Sequence, residues 1–154
     1  MAELFNNYAN IIIFLHVLSA IIWVGGMIAI RLAVHPTMQS IEEPKIKLGK
    51  TLMLVGKFFN IVMPFIVIIL LTALILTSAT TQSTEHTLKF LIWGIMTANF
   101  AWMYFKRSKA QKLFDAGKLP DAKATIALIP KLLLPINIIL GIIALWLGVE
   151  LRGL

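Results

Sequence analysis

The chain has 154 residues, of which 59% are hydrophobic and 14% charged, with a formal net charge of +7 and a mean hydropathy of +0.89. Soluble domains are closer to half apolar and a quarter charged, so these proportions exclude a disordered chain and disfavour a soluble one. The absence of cysteine excludes a disulfide scaffold and a thiolate metal site.

Four apolar stretches occur in chain order, at 8–30, 58–79, 88–105 and 126–149. Each is about long enough to cross a hydrocarbon core roughly 30 Å thick. They alternate too poorly for barrel strands, whereas helices satisfy their own backbone groups in lipid. The predicted fold class is all-α: a single integral membrane domain over 1–154, built as an up-down-up-down four-helix bundle. The first stretch follows Glu3 with no Lys or Arg ahead of it, unlike a signal peptide, and is expected to be a retained helix. His16, Ser19, Trp23 and Gly26 fall on one stripe of it, with His16 roughly 12 Å into the span. Arg31 ends this helix, and His35 precedes Pro36 one turn later.

The second stretch contains Pro64, which shares a face with Lys57 and Asn60. On the third, Lys89, Trp93, Met96, Phe100 and Met103 form a stripe flanked by Asn99, and His86 stands one turn ahead of Lys89. Asp121 after Pro120 is a candidate cap for the fourth helix. That helix holds Pro130 and Pro135 and presents Asn137, Gly141, Ala144 and Gly148 as a small-residue face suited to close helix contact.

The charge has a place. Arg31, Lys45, Lys47, Lys50 and Lys57 flank the first connection, and Lys106, Arg107, Lys109, Lys112, Lys118, Lys123 and Lys131 flank the third, which is 12 of the 14 basic residues. The positive-inside rule puts both connections in the cytoplasm and both termini on the opposite side, the periplasm if the cell is a Gram-negative bacterium, whose inner membrane would then hold the chain. The charge therefore reads as topology and lipid contact, not as a nucleic-acid surface.

Recognisable enzyme motifs are absent, and no Asp or Glu interrupts the spans before Glu150, so a carboxylate proton relay is not expected. His16 is the histidine that lies well inside an apolar run. Its bland reading is a hydrogen-bonded structural residue; its functional reading is an axial ligand, because imidazole binds haem iron and bundle cores can host such cofactors. His86 reads as a solvated loop residue or second ligand, and Lys89 as a snorkelling lysine or a partner for an acidic group. These three are expected to converge near the outer leaflet. Arg31, His35, Lys57, Asn60 and Lys131 are expected at the cytoplasmic end, as flank anchors or a clamp for acidic groups. Trp23, Trp93, Trp102 and Trp146 read as packing or interface anchors, and Met96 and Met103 as core filling. A copper pathway would want soft sulfur ligands in close register.

The segment from Leu15 to Pro36, LHVLSAIIWVGGMIAIRLAVHP, resembles the opening helix of CopD-like membrane proteins and of HemJ-type protoporphyrinogen IX oxidases. His16, Trp23, Gly26, Arg31 and His35 carry the likeness. KFFNIVMPFIVIILL from Lys57, HTLKFL from His86, YFKRSKAQKLFDAG from Tyr104 and IPKLLLP from Ile129 are similar to the later helices of the HemJ type. The resemblance implies haem b in the bundle, with His16 as iron ligand, His86 or Lys89 as second ligand or propionate partner, and Trp23 and Arg31 in the cofactor-binding set. It implies oxidation of protoporphyrinogen IX, with electrons passed to a quinone or another respiratory-chain partner. Self-association is compatible with it. The alternatives are a copper-handling protein and a non-catalytic subunit of a membrane complex.

Overall fold

The computed structural model describes residues 2–78 and 84–150. Ala79, Arg152 and the side chain of Glu3 lie outside the described residues. Four helical rods account for nearly all of the rest: α1 over 2–39, α2 over Pro44–Ser78, α3 over Thr84–Asp115 and α4 over Leu119–Glu150. No strand occurs among the described residues.

The helices outrun the apolar stretches. The basic segments expected as connections are mostly helical, and only 40–43 and 116–118 lie between described helices. The reason is a second layer of apolar periodicity within the basic sequence. Leu48, Leu52, Val55 and Phe59 recur at helical spacing and are all buried, as are Ala110, Ala122 and Ile126 on the facing helices. The lysines between them occupy the outer faces. Pro44 opens α2, where a missing N–H costs nothing. The end of α3 is a Schellman turn: Lys118 N–H donates to the Leu113 carbonyl at 2.9 Å and Gly117 N–H to that of Phe114 at 3.0 Å. Gly117 takes φ 76°, which a side chain would resist. Asp121 does not cap α4; Lys118 holds the cap position and Asp121 lies in the first turn, where its charge suits the helix N-terminus.

Three of the rods, α1, α2 and α4, are long and apolar enough to cross a membrane. α3 is comparable in length, but Lys89, Thr97 and Asn99 dilute its apolar run. The distribution explains the difference. Its outward residues Leu88, Leu91, Ile95, Trp102 and Phe105 are as exposed and apolar as those of the other helices, while Asn99 bonds inward to α4.

α1 is interrupted three times. Tyr8 leaves helical geometry (φ −133°, ψ 24°), and π-turns occupy Ile21–Gly25 and Ile30–Val34. A further π-turn opens the apolar part of α4 at Ile129–Leu133. Two of these three π-turns end just ahead of a proline, Pro36 and Pro135. A proline supplies no N–H to the carbonyl one turn back and crowds it, so the preceding turn widens.

Contacts along each neighbouring pair run in opposite directions. His16 and Gly26 of α1 meet Thr72 and Phe58 of α2; Trp93 and Arg107 of α3 meet Ile66 and Leu52 of α2; Lys89 and Asn99 of α3 meet Gly148 and Leu133 of α4. α1 closes the ring by meeting α4, chiefly through residues 21–29. The core between them is filled by Trp23, Met27, Leu52, Phe59, Val62, Met103 and Leu134. Phe100 packs edge-on against both Trp23 and Phe59, at centroid distances of 6.3 and 5.0 Å. Met96 and Met103 fill this core as their stripe predicts. Lys57, Asn60 and Pro64, which share a face of α2 by spacing, turn it outward and are all exposed. The Leu48–Leu52–Val55–Phe59 stripe takes the inner side of that helix instead.

Glycine marks the closest approaches. A Cβ on Gly141 would lie 2.7 Å from the buried Val24 side chain and 3.3 Å from Met96. Val24 is β-branched and therefore stiff at χ1, so it yields little to an added methyl. Gly94 has nothing within 4 Å of its would-be Cβ. Gly141→Ala is therefore expected to destabilise the detergent-solubilised protein by about 1–3 kcal/mol. Gly94→Ala is expected to be neutral or stabilising by up to about 1 kcal/mol. Equilibrium unfolding followed by tryptophan fluorescence measures both.

Candidate functional site

His16 lies on the inner stripe of α1, one turn after buried Ile12 and ahead of buried Ser19 and Ala20. Its ring is half-buried, and Nδ1 is 2.8 Å from the Thr72 hydroxyl of α2. The direction of this hydrogen bond follows from the other contacts of the hydroxyl. Thr72 Oγ1 is 2.7 Å from the Ile68 carbonyl and 3.1 Å from that of Ile69. Carbonyl oxygens only accept, so the single hydroxyl proton points to the backbone. The Thr72 oxygen is then an acceptor, and His16 Nδ1–H donates to it. In a neutral ring so fixed, the lone pair is on Nε2.

The antiparallel pairings put His86 and Lys89 of α3 within about one turn of the His16–Thr72 level. The Lys89 ammonium lies over Gly148, 3.4 Å from where a Cβ would stand. Gly148 is in the last turn of α4, so the positive charge sits by the helix C-terminus, where the backbone dipole favours it. His16, Thr72, His86 and Lys89 thus stand at about the same level of the bundle, at the end that the sequence reading expects to face outward. A lone threonine in an apolar helix reads as a residue bonding back to its own backbone, and nothing in the sequence marks it as the histidine's partner.

The other expected cofactor residues lie deeper. Trp23 is seven residues, roughly 10 Å, further along α1 and 2% exposed. Its Nε1 and the Thr97 Oγ1 are buried atoms without a hydrogen-bond partner among the described residues. Arg31 is about 22 Å from His16 along α1 and belongs to the opposite end of the bundle. His35 is half-buried in the same end, and Lys131 is exposed.

Two further polar clamps were not foreseen as such. Asn99 donates to the Leu133 carbonyl at 2.8 Å and to Asn137 Oδ1 at 2.7 Å, and Asn137 donates to the Met96 carbonyl at 3.1 Å. Arg107, which the charge pattern assigns to a cytoplasmic flank, folds back over Gly56, donating to the Leu52 carbonyl at 3.1 Å and to Gln111 at 3.1 Å. The mid-helix glycine is the sequence signal for it, because the guanidinium occupies the space a Cβ would fill.

No family model, curated protein or solved structure matches this chain. Among the described residues no group of three or more His, Cys, Asp or Glu could hold a bare metal ion. A haem asks for less from side chains: one imidazole with its other nitrogen anchored. His16 meets that requirement. Space restricts where the macrocycle can lie. From Trp23 inward the bundle is closed by side chains of almost no exposure, whereas His16, Leu76, Lys89, Leu147 and Gly148 of the outer layer are only half-buried. The outer half of α1 packs along α2 and meets α4 only deeper. The layer around His16 is thus less closely packed than the core below it, which leaves that layer as the place where His16 could hold such a group.

Thr72→Val keeps the shape and removes the acceptor for Nδ1–H. It is expected to lower stability in detergent by about 1 kcal/mol, and Thr72→Ser to leave it nearly unchanged. Chemical unfolding of the two variants beside the unmodified chain checks this.

Proposed function

We propose that the chain is an integral membrane protein in which all four helices cross the bilayer, up-down-up-down, with the basic helix ends in the cytoplasm and both termini on the other side. The apolar outer face of α3 supports counting it with the three longer apolar rods. The segregation of the basic residues supports the orientation. A bacterial inner membrane is the setting in which that rule and the family likeness agree.

We further propose that it is a haem b-binding redox protein of the HemJ-like type, with His16 as axial ligand. The observation that supports the reading is the anchored ring: Thr72 accepts from Nδ1–H, and Nε2 would then be the coordinating nitrogen. Bound haem would supply one-electron redox chemistry within reach of the membrane quinone pool. The side chains do the rest. Thr72 fixes tautomer and ring orientation and raises the basicity of Nε2. Lys89 supplies a positive charge at the same level for a propionate or a porphyrin carboxylate, held by the C-terminal turn of α4. His86 stands one turn nearer the surface, as second ligand or hydrogen-bond partner. The Trp23–Phe59–Phe100 cluster closes the floor of this layer and keeps water from passing further down. The core methionines Met27, Met96 and Met103 are buried and used in packing, which favours haem over copper. On this reading the substrate class is a reduced tetrapyrrole, protoporphyrinogen IX, which loses six electrons and six protons to become protoporphyrin IX.

The purified full chain is expected to show a Soret band that sharpens and shifts on dithionite reduction. His16→Ala should abolish it with the unfolding transition retained. Thr72→Val should weaken haem binding by about 10–100-fold, the usual penalty for losing a ligand's outer hydrogen bond. Protein that stays colourless and produces no Soret shift when titrated with haemin would overturn the proposal.

A further inference from the structure

Arg31 is half-buried within the π-turn Ile30–Val34, and among the described residues it has no hydrogen bond, ion pair or ring contact. A guanidinium beside apolar surface needs an anion or water for its five N–H groups. Its side chain lines a groove of about 300 Å³ between α1 and α4. The other walls are apolar: Ile28 and Leu32 from α1, and Pro135, Ile138, Ile139 and Ile142 from α4. The groove opens outward, since Leu32, Ile139 and Ile142 are 72%, 59% and 51% exposed. Lys131 is exposed one turn before Pro135, so a second cation stands at the end of the groove that Arg31 occupies.

The surface is thus a strip of hydrocarbon-facing side chains, about 10 Å long from Pro135 to Ile142, with positive charge at one end only. The charge lies at the end that the basic residues mark as cytoplasmic. That combination matches an amphiphile with one anionic head and an apolar chain. A soluble anion would leave the apolar walls uncovered, and a zwitterionic lipid, whose own cation offsets its phosphate, would leave the positive end of the groove without a net counter-charge. We infer that this groove holds an anionic phospholipid, its phosphate on Arg31 and Lys131 and one acyl chain along Ile138, Ile139 and Ile142. The inference rests on the bilayer-spanning reading and is independent of haem. The phospholipid would seal the α1–α4 seam and give its arginine a counter-ion at the depth where water is scarce.

The test is native mass spectrometry of the full chain released from detergent with added phosphatidylglycerol or phosphatidylcholine of the same acyl chains. Phosphatidylglycerol is expected to stay bound and phosphatidylcholine to be lost. Arg31→Gln should cut phosphatidylglycerol occupancy about fivefold, and Arg31→Lys should keep most of it. Ile139→Trp, which fills the groove, should lower occupancy with the arginine intact. Tryptophan-fluorescence unfolding verifies that each variant is folded. Equal retention of the two lipids, unchanged occupancy in Arg31→Gln, displacement of the lipid by inorganic phosphate, or a second copy of the chain in its place would each overturn the inference. The Soret band read on the same samples separates the two proposals, because a failed groove with normal haem, or the reverse, sinks one and not the other.

Discussion

An apolar interior offers no hydrogen-bond partner except those the helices bring, and this constraint organises the bundle. Three sets of polar side chains each tie one specific pair of helices, while buried Ser19 bonds back to the Leu15 carbonyl of its own helix. His16 and Thr72 join α1 to α2, Arg107 and the Leu52 carbonyl join α3 to α2, and the Asn99–Asn137 pair with the Met96 and Leu133 carbonyls joins α3 to α4. Every one of these bonds would leave an unsatisfied group if the register slipped, so together they select a single arrangement from the many that apolar packing alone would tolerate. Among the described hydrogen bonds none joins α1 to α4. That seam is held by close apolar approach, with Val24 seated on Gly141.

The same constraint gives the candidate site its chemistry. Thr72 must spend its proton on its own helix, because the carbonyl of residue 68 is 2.7 Å away. The histidine facing it therefore has no choice of tautomer. On the proposed reading, the bond that anchors one nitrogen of His16 would orient the other, so the structural and the ligand roles need not exclude each other. Lys89 behaves alike: the last turn of α4 stabilises its charge, and the same position keeps that charge level with His16.

Much of this was legible in the chain. The inner stripe of α3, Met96, Phe100 and Met103, and the small face of α4, Asn137 and Gly141, follow from helical periodicity and from the scarcity of polar groups in apolar runs. The level of His16, His86 and Lys89 follows from counting residues in antiparallel helices. What escaped depends on pairing across helices. Lys57, Asn60 and Pro64 share a face by spacing, but spacing does not say which face turns inward, and the bulkier Leu52–Val55–Phe59 stripe took the core. Arg107 reads as one more flanking charge until Gly56 is set opposite it. The helical extensions beyond the apolar stretches escaped because lysines mask, in composition, a periodicity that is plain in position.

The seam between α1 and α4 ties both ends of the molecule together. The two helices meet chiefly through residues 21–29, where Gly141 lets them approach; the π-turn Ile21–Gly25 lies within that contact and the π-turn Ile30–Val34 follows it. Two rods touching at one short contact separate on both sides of it. Toward one end the separation leaves the His16 layer loosely covered; toward the other it leaves the groove below Ile28 with Arg31 at its mouth. The pairs clamped by hydrogen bonds have no such freedom, because opening them would strand a polar group. Among the described residues the α1–α4 pair has no such bond to break, and the half-buried Arg31 stands along it, whereas His16 stands where α1 is bonded to α2. A helix pair held only by van der Waals contact is the natural place for a bundle to accept something that is not protein, since the ligand replaces lipid or side-chain contacts of the same kind and supplies the missing polar partner.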